Sequence, residues 1–299
     1  MHITSAVEPA HAKLNLFLRI LARESSGYHS IETLFQRLAL HDIVSVHVER
    51  DGRSLECVGP TMPAGGLGAP EQNLAWRAAE LYARETGWDT GWHIDIEKRI
   101  PVGGGLGGGS TDAAAVLRTM ESLSPSPLGL PRLLELAGQL GADVPFFVAG
   151  HSRAWAWGRG DRLLALRPLA EATVRLFILA DGVNTGAAYG ALAARRAASH
   201  EVTAPARCYE PQAFDDWTSI ARLAANDFEA VVPSMHEGVA AVLPLVRQVA
   251  EEMRAAGMPA IGMLSGSGAT CFLLTAGMSG FRQSDAGPIP VRIVETHTN

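Results

Sequence analysis

Cysteine is scarce in this chain: Cys57, Cys208 and Cys271 are odd in number, far apart and never in a CxxC spacing. That excludes a disulfide framework and a paired-thiolate zinc site, and it points to a reducing compartment. Basic charge is not in excess either. With 25 Lys and Arg against 31 Asp and Glu, the formal net charge is -6, and no run of five or six like charges forms a tail. No general field therefore draws a nucleic acid to this protein. Long apolar runs are missing, since none approaches the ~18 residues of a membrane span. The opening MHITSAVEPA lacks the basic patch and apolar core of a signal peptide. The expectation is a soluble, cytoplasmic protein with neither nucleic-acid nor membrane partners. Apolar residues, by contrast, are plentiful: 47% hydrophobic against 19% charged over 299 residues is enough to bury the core of one large domain or two ordinary ones.

The spacing of those apolar residues places the main elements. From Ala12 to Ile20 the chain alternates, with Ala12, Leu14, Leu16 and Leu18 on one side and Lys13, Asn15, Phe17 and Arg19 on the other. This is the period of a strand with one buried face, and it puts Lys13 and Asn15 on a common face. A second alternation through DIVSVHVER, residues 42–50, sets Val44, Val46 and Val48 together, and the Asp51-Gly52 that follows signals a hairpin into SLECVG. EQNLAWRAAELYARETG, residues 71–87, has helical spacing in Leu74, Ala78, Leu81 and Tyr82 and a stop at Gly87, after which WHIDIEKRI returns to strand. STDAAAVLRTMESL, residues 110–123, predicts a helix with Ser110 or Thr111 as N-cap and Asp112 in the first turn. Further helices are expected over residues 131–140, 185–197, 216–231 and 234–256, with strands at RAWAWGRGDRLLAL and VRLFILA and a Gly-rich turn feeding a strand in MLSGSGATCFLLT. Strands and helices mix without a strict βαβ repeat, so the fold class is α+β. Two lobes are expected, residues 1–160 and 161–299.

The stretch PVGGGLGGGSTDAA, residues 101–114, puts six glycines into the seven positions from Gly103 to Gly109. A flexible linker does not account for it, because the run is pinned between a strand and a helix. Gly103, Gly105 and Gly108 satisfy GxGxxG, but no second strand ending in an acid follows, so the βαβ context of a dinucleotide fingerprint is missing. A phosphate cradle fits better: bare backbone can approach an anion, its N–H groups can converge on phosphate oxygens, and the helix start adds free N–H groups and a positive dipole end. Ser110 and Thr111 add hydroxyls. It is not a Walker loop, since no Gly-Lys-[Ser/Thr] follows and the nearby Lys98 precedes the glycines.

The stretch resembles the ATP loop, P-x-G-x-G-L-G-S/G-S, of the superfamily of galactokinase, homoserine kinase, mevalonate kinase and phosphomevalonate kinase. AKLNLFL (12–18), GYH (27–29), GADVPFF (141–147), NDFE (226–229) and LSGSGAT (264–270) agree in order along most of the chain. Within the superfamily the chain is most similar to kinases of the non-mevalonate isoprenoid pathway, whose acceptor carries a cytidine diphosphate. His11 departs from the usual proline, and the tail after Leu274 is short for the usual amphipathic helix before the final strand. The resemblance implies a two-lobed small-molecule kinase, with an N-terminal ATP-binding and catalytic lobe and a C-terminal substrate-side lobe, that uses ATP and Mg²⁺ and holds no metal site of its own.

What the resemblance implies for individual residues accords with the needs of phosphoryl transfer, a base for the hydroxyl proton and positive charge near the transferred group. Asp143 would be the base and Lys13 the cation. ATP would lie along Pro101, Val102, Gly103, Gly104, Gly105, Leu106, Gly107, Gly108, Gly109, Ser110 and Thr111, with Asn73 bordering the adenine. The acceptor would meet Asn15, Tyr28 by stacking, His29 by hydrogen bonds to the base edge, Tyr189 as the other side of a sandwich, and backbone N–H groups of Gly266, Ser267 and Gly268. Each has a plainer alternative: Lys13 a solvated strand residue, Asp143 and Asn73 helix caps, Tyr189 helix packing, Ser265-Gly-Ser-Gly a tight hairpin. Another kinase of the superfamily, or a non-catalytic nucleotide-binding relative acting through a partner protein, are the other functional readings. Lys13, Asp143 and the cradle together favour the enzyme.

Overall fold

In a computed structural model the residues described are 4–23, 29–199, 208–277 and 291–299. The chain makes two compact units, each assembled from separated stretches: Met1–Ala12, Leu40–Val102 and Gly107–His151 in the first, Lys13–Ala39, Gly103–Leu106 and Ser152–Asn299 in the second. Two long strands, β1 (Ser5–Arg23) and β2 (His29–Glu49), contribute part of their length to each.

The first unit adds β3 (Arg53–Val58), α1 (Leu74–Thr86), β4 (Gly91–Glu97), α2 (Gly108–Leu123), α3 (Leu130–Leu140) and α4 (Val144–Ala149). Trp92, Ile94 and Ile96 of β4 and Val44 and Val46 of β2 are buried, as period-two alternation requires. Helix α1 starts where Asn73 Oδ1 accepts the Ala75 N–H at 2.9 Å and stops at Gly87, whose φ of 65° is left-handed. Small buried residues, Ala75, Ala78 and Ala79 on α1 and Ala113 to Ala115 on α2, let these two helices pack closely.

Two expectations are corrected in this unit. The Asp51-Gly52 turn does not make a hairpin of β2 and β3. Strand β4 lies between them, antiparallel to β2 and parallel to β3. Fully buried on one face, β4 takes the central place, while β3, largely exposed, becomes the edge. Gly91 makes the insertion possible, because a Cβ there would collide with the carbonyl of Gly52. Nor do Ser110 and Thr111 cap α2. The helix begins at Gly108 with Gly107 as N-cap at φ 77°, a conformation glycine adopts without penalty, and Thr111 N–H already closes onto Gly107 O at 2.9 Å.

The second unit adds β5 (Arg153–Gly158), β6 (Arg162–Ala165), β7 (Ala172–Ile178), α5 (Thr185–Ser199), α6 (Trp217–Leu223), α7 (Val232–Met235), α8 (Glu237–Ala255), β8 (Ala260–Leu264), β9 (Cys271–Ala276) and β10 (Arg292–His297). Strands β10, β7, β9 and β8 form an antiparallel sheet in that order. The apolar face of α8, Val239, Val242, Leu243, Val246 and Ala250, packs on it. Full burial of each such aliphatic side chain contributes about 1.5–3 kcal/mol.

Here too the sequence expectations need correction. The helix expected over 216–231 is broken after α6, because Asn226 is extended and spends its side chain on tertiary partners: its amide donates to Leu264 O (2.9 Å) and Gly266 O (2.7 Å), and its Oδ1 accepts from Phe228 N (3.0 Å). The one buried face expected for Ala12–Ile20 is two: Lys13, Asn15 and Phe17 are as buried as the leucines between them. Burying those polar groups demands hydrogen-bond partners, and the partners lead to the glycine run.

Candidate active site

In the second unit, the Lys13 ammonium, 4% exposed, donates to Asn15 Oδ1 at 2.7 Å and to Gly105 O at 3.2 Å. Asn15 passes the chain on through its amide to Thr33 Oγ1 (2.8 Å), which donates to Phe17 O (2.7 Å). The Lys13 backbone N–H meets Leu106 O at 3.0 Å, so strand β1 holds residues 105 and 106 by main chain and side chain at once. The turn between β8 and β9 approaches the same peptide: Ser265 Oγ donates to Gly105 O at 3.0 Å, and a Cβ on Gly105, whose φ is 74°, would strike the Ser265 carbonyl. Asn226 fixes that turn from behind through Gly266 O, and Ser267 Oγ shares a hydrogen bond with Thr185 Oγ1 at 2.8 Å. Lys13, Asn15, Gly105 and Gly266 are thus brought together, as the sequence reading grouped them. Thr33, Asn226 and Ser265 are the neighbours it gave no role.

Gly103, Gly105 and Gly107 have φ of 75°, 74° and 77°. Left-handed residues at alternate positions are one element of an anion-binding nest. The backbone enters the second unit at Gly103 and returns to the first at Gly107, where α2 begins. N–H groups of Gly108, Gly109 and Ser110 occupy the first helical turn, which has no intrahelical acceptors. Thr111 is 1% exposed and its N–H is taken by the helix. Pro101 is buried and Val102 exposed just ahead of the run.

Also in the first unit, Asp143 stands at the N-cap position of α4, where its side chain makes no capping hydrogen bond. Asn73 does cap α1, and its amide also donates to Cys57 Sγ at 3.8 Å. Beneath the first turn of α2 lies a group the sequence reading passed over. Lys98 donates to carboxylates of both Asp42 and Asp112, and all three are almost fully buried. Burial works against the charge of Lys98, but Asp112 and Asp42 outweigh it and its pKa is raised. Burial pushes Asp112 up to about 7, with Lys98 opposing and Asp42 adding to the rise.

Of the residues assigned to the acceptor, Tyr28 lies outside the described residues. His29 stacks on Tyr189 with ring centroids 4.3 Å apart and planes 15° from parallel, and Tyr189 meets Phe228 edge-on at 4.9 Å. Asp227 holds this arrangement, accepting from Arg19 (2.8 Å) and Ile20 N (2.8 Å) on β1 and from Arg196 (2.7 Å) on α5. Among the described residues one group of His, Asp and Glu has ligand atoms within 4.8 Å of one another, Glu56, His93 and Asp95; it is exposed to half-buried on the sheet of the first unit. Among them, too, no helix is long and apolar enough to cross a membrane.

Residues 73–151, which run from the α1 cap through the glycines to α4, match the family described as GHMP kinases N terminal domain. The chain is 40% identical to 4-diphosphocytidyl-2-C-methyl-D-erythritol kinase of Xanthomonas axonopodis pv. citri (strain 306), over 89% of this chain and 80% of that one. It is 39% identical to the kinase of the same name from Mycolicibacterium gilvum (strain PYR-GCK), over 88% and 80%. A crystal structure of 4-(cytidine 5'-diphospho)-2C-methyl-D-erythritol kinase superposes with a TM-score of 0.70 at 31% identity, covering 98% of this chain and 99% of that one. A mevalonate kinase superposes at 0.64 with 10% identity, over 98% and 99%, a likeness of fold alone. Identity spread over nearly the whole length, rather than confined to the glycine run, places this chain in the 4-diphosphocytidyl-2-C-methyl-D-erythritol kinase family of the GHMP kinase fold.

Proposed function

We propose that the chain transfers the terminal phosphoryl group of ATP to the 2-hydroxyl of 4-diphosphocytidyl-2-C-methyl-D-erythritol, a step of non-mevalonate isoprenoid precursor synthesis. The observation that carries this reading is the near full-length likeness to kinases named for that acceptor, and the glycine run held by Lys13 and Ser265 supports it. Asp143 takes the hydroxyl proton as the acceptor oxygen bonds to the γ-phosphorus, and the bond to the β–γ bridging oxygen breaks to release ADP. Lys13 offsets the negative charge spread over the transferred group. Residues 101–110 cradle the phosphates, and Asn73 borders the adenine while capping α1. Mg²⁺, when bound, would take oxygen ligands from the phosphates and neutralise part of their charge. Asn15, Tyr28, His29, Tyr189 and the 266–268 turn receive the acceptor, its cytosine against the aromatic rings.

A coupled ADP-release assay with four candidate acceptors tests this. Turnover is expected with the cytidine diphosphate compound and not with mevalonate, homoserine or the uridine analogue, and CDP should compete with the acceptor rather than with ATP. Efficient phosphorylation of mevalonate or homoserine, with the cytidine compound ignored, overturns the assignment and leaves the fold.

A further inference from the structure

Lys98 follows β4 and stands five residues before Gly103, where the glycine run begins. Its partners tie three parts of the first unit together. Asp42, on β2 and wholly buried, accepts from Lys98 through Oδ2 and from Ile100 N (2.7 Å) and Arg99 N through Oδ1. Asp112 accepts from Lys98 at 2.6 Å and belongs to the first turns of α2. A Cβ on Gly108 would lie 3.5 Å from the ammonium, so Lys98 sits against the first turn of α2.

A plain structural tie needs only the Lys98–Asp42 pair, which already balances its charge. Asp112 makes the triad net negative when ionised, close to the place where an anion is to bind. It is poorly provided for there, since its Oδ1 is buried with no hydrogen-bond partner. Among the described residues Cys57 on β3 also faces it, with a thiol pushed up to about 11 by burial and then by Asp112, and so neutral near pH 7. With Asp112 protonated the triad is neutral; with Asp112 ionised the turn carries one negative charge beneath it.

We propose that the Lys98–Asp42–Asp112 triad positions the first turn of α2 for the phosphates of ATP, and that the charge on Asp112 sets how tightly that turn holds them. The inference rests on the kinase reading and adds positioning residues to it. Burial, which holds Asp112 near about 7, places the change of charge in the neutral range.

Calorimetric ATP titration and steady-state kinetics of the whole chain test it. Lys98→Gln should raise the ATP Kd and KM by about tenfold while kcat at saturation and the acceptor KM stay within about threefold, the split expected when only a phosphate cradle is displaced. Asp112→Asn keeps the Asp42–Lys98 pair balanced and carries the test should Lys98→Gln fail to fold. Relative to this variant, the wild-type ATP Kd should rise by about two- to fivefold between about pH 6 and about pH 8, the titration of ATP itself cancelling in the ratio. Parallel pH dependences in the two proteins, or an unchanged ATP Kd in a folded Lys98→Gln, overturn the inference. Failure of the wild type to bind ATP would instead remove the kinase reading.

Discussion

Lys13 and Lys98 are both buried at the strand layer of their own unit, 4% and 3% exposed, yet they tie different parts together. Lys13 donates to the Asn15 amide and to the Gly105 carbonyl, and so joins β1 to the glycine run. Lys98 donates to the carboxylates of Asp42 and Asp112, and so joins β2 to α2. Two carboxylates consume the charge of one ammonium, which suits a cation that organises its surroundings. Lysine alone, read in a sequence, does not show what it will hold; its acceptors do.

The widest separation between the two should come in turnover. Lys13→Met is expected to lower kcat by roughly 10²- to 10³-fold, and Asp143→Asn by roughly 10²- to 10⁴-fold, each with ATP affinity within a few-fold of wild type. Single-turnover kinetics alongside calorimetry measures both; a Lys13→Met defect confined to acceptor KM would make Lys13 a binding residue and dissolve the contrast.

Stability should separate them in the opposite sense. Lys98→Met strands two buried carboxylates and is expected to cost about 3–5 kcal/mol. Lys13→Met strands the Asn15 and Gly105 oxygens and should cost about 1–3 kcal/mol. Urea unfolding of the two variants checks the order, and equal losses would remove the stability difference between the two sites.

A smaller contrast lies in the glycines of the two regions. Gly105→Ala combines a left-handed φ with a collision against Ser265, so it should lose about 1–3 kcal/mol along with ATP binding. Gly109 is helical with Leu74 Cδ1 the nearest atom at 3.9 Å, so Gly109→Ala should leave ATP affinity within about threefold. Differential scanning and ATP titration of the pair would show whether only the residue packed on the β8–β9 turn is intolerant.

A last contrast sharpens the Lys98 side by pH. Asp112 holds its proton more tightly in the folded chain, at about 7 against an ordinary 3.8. Its contribution to stability is therefore full below about pH 4 and is lost as pH rises toward about 7. Wild-type stability relative to Asp112→Asn should fall over that window and level off above it. The reverse slope in urea midpoints would mean that Lys98 stabilises the ionised carboxylate more than burial opposes it.

Local spacing alone settled a good part of this protein. The caps of α1 at Asn73 and Gly87, the alternation of β4 and the shared face of Lys13 and Asn15 follow from rules that act within a few residues. The special backbone of the glycine run was legible for the same reason, since only glycine takes the φ values found at 103, 105 and 107 without strain. Tertiary structure decided the rest. Asp51-Gly52 is a sound hairpin signal, but β4 claimed the place beside β2 because its buried face needed neighbours on both edges. Residues 216–231 carry a helical pattern that Asn226 interrupts by bonding to residues about forty positions away. Lys98 meets Asp42 across 56 residues and Asp112 across 14. Burial and ion pairing depend on what arrives at the same point in space, and sequence spacing carries no record of arrivals from that far along the chain.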